Sequence, residues 1–340
     1  MAQVIMMPAA AAGFKSLMGS ITKGTGNTLN LPEGMVNIGG NGKGFILEAK
    51  TNWNPTATGS HDGTVNALAL GDDVYIYAVQ QESGIAKWLA SKNSTQPDGY
   101  TGSTSRKIGG FHFGRTRPDA ERFNAGYACP VEIIHNSCWD LQHRPKCDPA
   151  GMVEIIPGSL WADIYLASEG SGSWPETVPQ SKFNAVPITG SDGYSRLDYA
   201  RLAANAGKRL PNYQEFLALA YGVPQGATGA SGRTNTGQHG GYGFDCISTR
   251  NVDQPSGNIY QQGSHYYDRS NASDSWNDSL NTGQDSAHNH GQWYGTDFRT
   301  AVFGGSWSYA AQSGSRCGGV NYHPWPVNSA TGFRAVCDSL

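Results

Sequence analysis

Charge is what this chain has least of. Asp, Glu, Lys and Arg make up 15% of its 340 residues, and 24 bases against 27 acids leave a formal net charge of −3. The basic residues are scattered, with no Lys/Arg run, so the sequence offers no positive surface for a phosphate backbone and nucleic acid is excluded as an expected partner. No run of 18 apolar residues occurs, which excludes a membrane-spanning helix, and no membrane insertion is expected. The six cysteines include no C-x-x-C pair, and a chain of this length does not need disulfides as a framework. Most are read as small buried residues, while a Cys317–Cys337 bridge stays open. No Ser-His-Asp order, paired-carboxylate cluster or phosphate loop stands out. The GGNGKG stretch at Gly39–Gly44 lacks a Lys-Ser/Thr end and is read as a turn.

What is abundant is glycine, at 45 residues, together with Ser, Asn and Thr. Low charge with such residues is the composition of β-rich, turn-rich proteins, extracellular and viral ones included. The opening MAQVIMMPAAAAGFKS has no basic residue before its apolar part and makes a poor secretory signal, which fits a virion component released by lysis. Residues 1–48 are Gly-rich with short apolar patches and are read as an N-terminal attachment or oligomerisation segment, a small β-element without a full core. Residues 49–130 carry strand signals. DDVYIYAVQQ alternates, ESG turns, IAKWLAS returns as a hairpin partner, and RKIGGFHFG is a strand with a glycine bulge, together a small β-sandwich.

From 131 onward the order changes. MVEIIPG and LWADIYLA are two strand candidates divided by Pro157-Gly158. Tyr199, Leu202, Ala203 and Ala206 fall at helical spacing, with Gly207 at the C-terminal cap position. A second helix is capped by Asn212 with Glu215 three residues on, repeats Phe216, Leu219, Ala220 and Val223, and stops at Pro224. Residues 225–300 are long, polar and aromatic-flecked, and are expected to form binding loops on a scaffold. Strands, two helices, a loop region and short terminal strands make an α+β unit. In the loop region the H-x-H of His288 and His290 and the Asp-rich stretch Asp268–Ser279 are both read as solvated chain; no metal and no cofactor is expected.

The closing segment Gly304–Asp338 is the oddest. Its only charged residues are Arg316, Arg334 and Asp338, and Trp307, Tyr309, Tyr322 and Trp325 stand among small polar residues. Rings that are rigid and amphipathic, set among adaptable Ser, Gly and Asn, are what a paratope uses, and aromatics left at a surface mark a binding site. Arg316 and Arg334, with five donors each, suit structural ties to carbonyls where strands are short. Trp307 is expected to pack beneath the site.

Three separated segments, GKRLPNYQEFLALAYG (Gly207–Gly222), GMVEIIPGSLWADIYLA (Gly151–Ala167) and FGGSW…SGSR…GFRAVCD, resemble a C-type-lectin fold of the branch shared by formylglycine-generating enzymes and the variable proteins of diversity-generating retroelements. SRKIGGFHFG and WDLQHRPKCDPAGM extend the similarity, over roughly residues 70–340, to the major tropism determinant family of receptor-binding proteins at bacteriophage tail-fibre tips. The resemblance implies a lectin-like domain over 131–340 with a variable region at 304–338, rewritten at template adenines. By spacing from GGSW, GSR and GFR, the variable, receptor-binding positions would be Ser306, Ser308, Tyr309, Ala310, Gln312, Gly319, Asn321, Tyr322, Pro326, Asn328, Ala330 and Thr331, all but Gln312 reachable from an Asn codon by changing adenines alone.

It further implies a host-cell surface receptor, protein or glycan, as partner, a homotrimer joined to phage tail or baseplate proteins, and a place on the virion tail fibre. A cellular retroelement protein displayed for ligand binding and a purely structural tail subunit are the alternatives. An enzyme of the formylglycine-generating type is disfavoured, because SWSYAAQSGSRCG has no cysteine ahead of Cys317 to complete a metal-binding pair.

Overall fold

The computed structural model describes residues 5–6, 15–40, 43–117 and 128–340. Most of the apolar opening, and Asn41–Gly42 of the glycine-rich turn, lie outside the described residues. The chain divides into two compact units, one of residues 1–115, 131–144 and 340, the other of 116–130 and 145–339. The described residues are mostly β, with two α-helices, both in the second unit.

The first unit is built on antiparallel strands. Asp72–Val79 pairs with Lys87–Ser91 across the ESG turn and, on its other side, with Ser105–Arg115. The register of the latter pair shifts between Lys107 and Gly109, the bulge foreshadowed by the paired glycines. Leu29, Val36 and Ile38, from the stretch read as too poor for a full core, are buried in the same cluster as Val74, Ile76 and Ile108.

In the second unit the two strand candidates divided by Pro157-Gly158 pair as a hairpin, Met152–Ile156 against Leu160–Asp163, and the chain's last strand, Val336–Asp338, adds to the outer side of Leu160–Asp163. Helix α1 (Arg196–Asn205) opens with a reciprocal Ser195/Asp198 box, and Gly207 stands just past its end at φ +68°. Helix α2 (Tyr213–Ala220) is capped by Asn212, whose side chain accepts from the Glu215 N–H at 2.9 Å while the Glu215 carboxylate accepts from the Asn212 N–H at 2.9 Å. The two helices each clamp one flank of the closing segment. Tyr199 of α1 stacks on Phe333 at 5.3 Å and Phe216 of α2 on Phe303 at 5.1 Å. Phe216, Phe303 and Phe333 are buried, each worth about 2–3 kcal/mol in removed apolar surface.

The polar stretch 225–300 is not a set of surface loops throughout. Residues 251–263 are buried, and Tyr260–Asp268 is a strand at the interior of a four-stranded sheet, between Phe298–Phe303 and Thr331–Gly332, with Gly318–Tyr322 at the far edge. Its buried Gln261 and Gln262 are polar and hydrogen-bonded to main chain and to Thr300 and Arg334, so hydrophobic periodicity does not reveal it. Cys317 and Cys337 are both free thiols. The open Cys317–Cys337 bridge is not formed, and the thiol beside Cys337 is that of Cys147.

Candidate binding surface

The frame under the closing segment is held by hydrogen bonds to backbone. Arg334 is fully buried; Nη1 donates to the carbonyls of Asp163 (2.8 Å) and Ile164 (2.5 Å), Nη2 to those of Asp253 (2.6 Å) and Gln254 (3.2 Å), and Nε to Gln261 Oε1 (2.9 Å). Burial pulls its pKa down to about 10. One guanidinium thus ties the end of the Met152–Asp163 hairpin to the buried polar stretch. Gly304 and Gly305 turn the chain out of the sheet at φ +86° and +78°, where a Cβ would stand 2.6 Å from Pro255 O and 2.3 Å from Ser313 Oγ, so no other residue fits either place. The loop they open is pinned through main chain, by the Trp307 N–H on Asn258 O (3.0 Å) and the Ser313 N–H on Tyr309 O (2.9 Å). Arg196, buried at the start of α1, donates to His323 O (2.7 Å) and Thr331 Oγ1 (3.2 Å) and lies 5.2 Å above the Tyr322 ring.

Three parts of the closing segment meet over Tyr260. Its ring lies 5.5 Å from that of Tyr309, in the loop after Gly305, and 5.6 Å from that of Tyr322, at the end of the edge strand. Its N–H donates to Ala330 O at 2.8 Å, in the turn before Thr331–Gly332. The Tyr322 hydroxyl lies near those of both Tyr260 and Tyr309. Burial, then the Tyr322 hydroxyl, push the Tyr260 phenol upward, and burial raises Tyr322, so both of these phenols stay neutral at physiological pH.

A family model described as the Mtd second domain matches residues 20–140. The chain is 33% identical over 298 residues to the tail fiber receptor-binding protein of Bordetella phage BPP-1, covering 82% of this chain and 74% of that one. The chain belongs to the major tropism determinant family. Solved structures agree. The P3c variant of Major Tropism Determinant superposes with a TM-score of 0.78 at 26% identity, covering 98% of this chain and 88% of that one. The U1 variant gives 0.74 at 26%, covering 100% and 86%. The fold is therefore C-type-lectin-like, and these relatives of the chain carry the names of receptor-binding proteins and tropism determinants rather than of enzymes.

In this chain the carried-over positions divide by burial. Ser308, Tyr309, Ala310, Gln312, Asn321, Pro326 and Asn328 are exposed, and Gly319, Tyr322 and Ala330 are half-buried. Ser306 and Thr331 are buried, contrary to their assignment to the binding face. The Ser306 carbonyl accepts from Ser313 Oγ, and Thr331 faces Arg196 while its carbonyl accepts from Tyr199. Of the three scaffold residues Arg334 is inside and Trp307 half-buried, but Arg316 is exposed and its side chain bonds no described residue. Only its main chain is used, accepting from the Tyr213 hydroxyl at 2.9 Å.

Sequence reading missed Tyr260, Arg196, Arg269 and Arg299. Arg269 bonds the Asn321 side chain and Arg299 donates to Asn321 O at 3.0 Å, so two charged groups from outside the closing segment steer its edge strand. It also missed the apolar part of the display, Val320 (62% exposed) and Val327 (50%), beside Tyr309 at 44%. The one signal available was the aromatic content of 225–300.

Proposed function

We propose that this chain is the receptor-binding protein of a bacteriophage tail fibre, touching a host-cell surface receptor with residues Gly304–Asp338. The observation that carries the proposal is the convergence of Tyr309, Tyr322 and Ala330 on the buried Tyr260, which makes one exposed, uncharged aromatic face from three stretches of chain. Its accessible positions, Ser308, Tyr309, Ala310, Gln312, Gly319, Asn321, Tyr322, Pro326, Asn328 and Ala330, are the ones whose side chains would be rewritten. Main-chain ties hold the frame while they change, which spares the ordering cost of flexible loops.

The finer reading has the lectin-like domain in the formylglycine-generating branch without its chemistry. A β-sandwich precedes that domain, and the first 48 residues attach to tail or baseplate proteins. Three copies on the virion fibre would add avidity to weak single sites.

The test is Tyr309→Ala with Tyr322→Ala in one chain. Neither ring is in the main-chain frame, so the melting temperature should hold while adsorption to host cells falls at least about tenfold. A folded double variant that adsorbs like the parent would overturn the proposal and favour a structural tail subunit.

A further inference from the structure

We propose that Asp285, His288 and His290 form a binding site for a divalent late-transition-metal ion, of which zinc is the ion to test. The H-x-H pair alone carries little. The structure supplies a third donor, because the short helical turn Gly283–Asp285 brings a carboxylate oxygen and a nitrogen from each imidazole within 4.8 Å of one another. Ligand atoms around a tetrahedral zinc stand about 3.4 Å apart, so closing the site asks the side chains to move by roughly 1 Å. Both histidines are exposed and free to make that movement.

The main chain is already set for it. The His288 N–H donates to Asp285 O at 2.9 Å, the His290 N–H to Asn281 Oδ1 at 2.7 Å, and Asn281 in turn donates to Asn289 Oδ1 at 3.1 Å. Asp285 is oriented from behind, since Trp174 Nε1 donates to its Oδ1 at 2.7 Å and leaves Oδ2 facing His290 Nε2 at 4.0 Å. Such outer partners are what fix ligating carboxylates. His290 Nε2 now rests 3.1 Å from the Asp285 carbonyl, a weak exposed contact that the ion would replace.

The surroundings welcome positive charge. Asp198, at the start of α1, accepts from the Gln284 N–H, and its carboxyl is pushed up by burial and further by the charge of Asp285. Arg201, which lines the same cavity of about 470 Å³, already bonds Asn205 and reaches Glu176 at 3.8 Å. Two imidazoles with one carboxylate suit zinc, nickel or cobalt and not the all-oxygen preference of calcium.

The site connects to the display. Trp293 stacks on Phe298 at 3.9 Å and 10°, and Phe298 reaches Trp325 at 6.4 Å. An ion at residues 285–290 would hold the chain that supports Trp325.

The experiment is isothermal titration of the full chain, stripped with EDTA and exchanged into chelator-free buffer, with zinc chloride and separately with calcium chloride. One saturable zinc site is expected, with no calcium heat. Affinity should fall at least tenfold in His288→Ala/His290→Ala and in Asp285→Asn, whose amide oxygen still serves Trp174. Both histidines are exposed, and an unchanged melting temperature without metal would verify that the variants fold. Absence of saturable zinc binding by the parent overturns the proposal. So does equal affinity in the double-histidine variant, which would place the ion elsewhere, for example on the Cys147 and Cys337 thiols.

Discussion

Arg334 sits in the interior with five donated bonds and no carboxylate partner. Its acceptors are four carbonyls and one amide, so what it recognises is main-chain position. Replacing it with alanine strands all five and should cost about 3–5 kcal/mol in denaturant unfolding. Lysine should rescue little, since three donors on a point cannot serve five acceptors spread around a plane. A loss below about 1 kcal/mol would mean that neighbours or water replace the bonds. The sequence pointed to this residue and, by identical reasoning, to Arg316, which is outside. Donor count says what an arginine can do, and only packing decides which way it points. Tyr260 had only the diffuse signal of aromatic content in 225–300, because a lone aromatic in a polar stretch is typed as loop until its neighbours in space are known.

Elements were legible wherever their spacing alone carried them. The 72–91 hairpin, the bulge before Gly109, both helices and the Asn212 cap all follow from period and capping chemistry. The strand Tyr260–Asp268 did not, because Gln261 and Gln262 are buried by bonding rather than by apolarity. At the end of that strand Asp268 latches the ribbon of Ser275–Asn277 and Trp293–Gly295, which carries the exposed pair Trp276 and Tyr294. Its carboxylate accepts from Thr296 Oγ1 (2.6 Å) and from the N–H groups of Thr296 (2.8 Å), Asp297 (2.8 Å) and Ser270 (3.1 Å). These bonds, the Thr296 hydroxyl first, hold its pKa well below the usual carboxylate range. The stabilisation is therefore present above the unfolded value of about 3.9 and is lost as pH falls below it. Amide exchange in the ribbon, measured against the rest of the sheet, should accelerate below that pH, and Asp268→Asn should produce the same acceleration at neutral pH. Equal exchange in the variant and the parent would show that the ribbon holds without the latch.

For the whole molecule, scarcity of charge is the property that reaches function. A net charge of −3 and a neutral aromatic face leave little for salt to screen. Adsorption should change less than about threefold between roughly 50 and 500 mM sodium chloride. A steep decline would assign the contact to charged side chains such as Arg269 or Arg316 instead.

On the proposed reading Tyr260 belongs to the floor and not to the positions that would be rewritten. Here the rings of Tyr309 and Tyr322 pack against it; with small residues at 309 and 322 the same ring would be uncovered at the bottom of a socket. On that reading a single unmoving tyrosine would let one backbone greet both hollow and protruding counterparts, so a host that reshaped its own surface would meet an opponent able to draw either form.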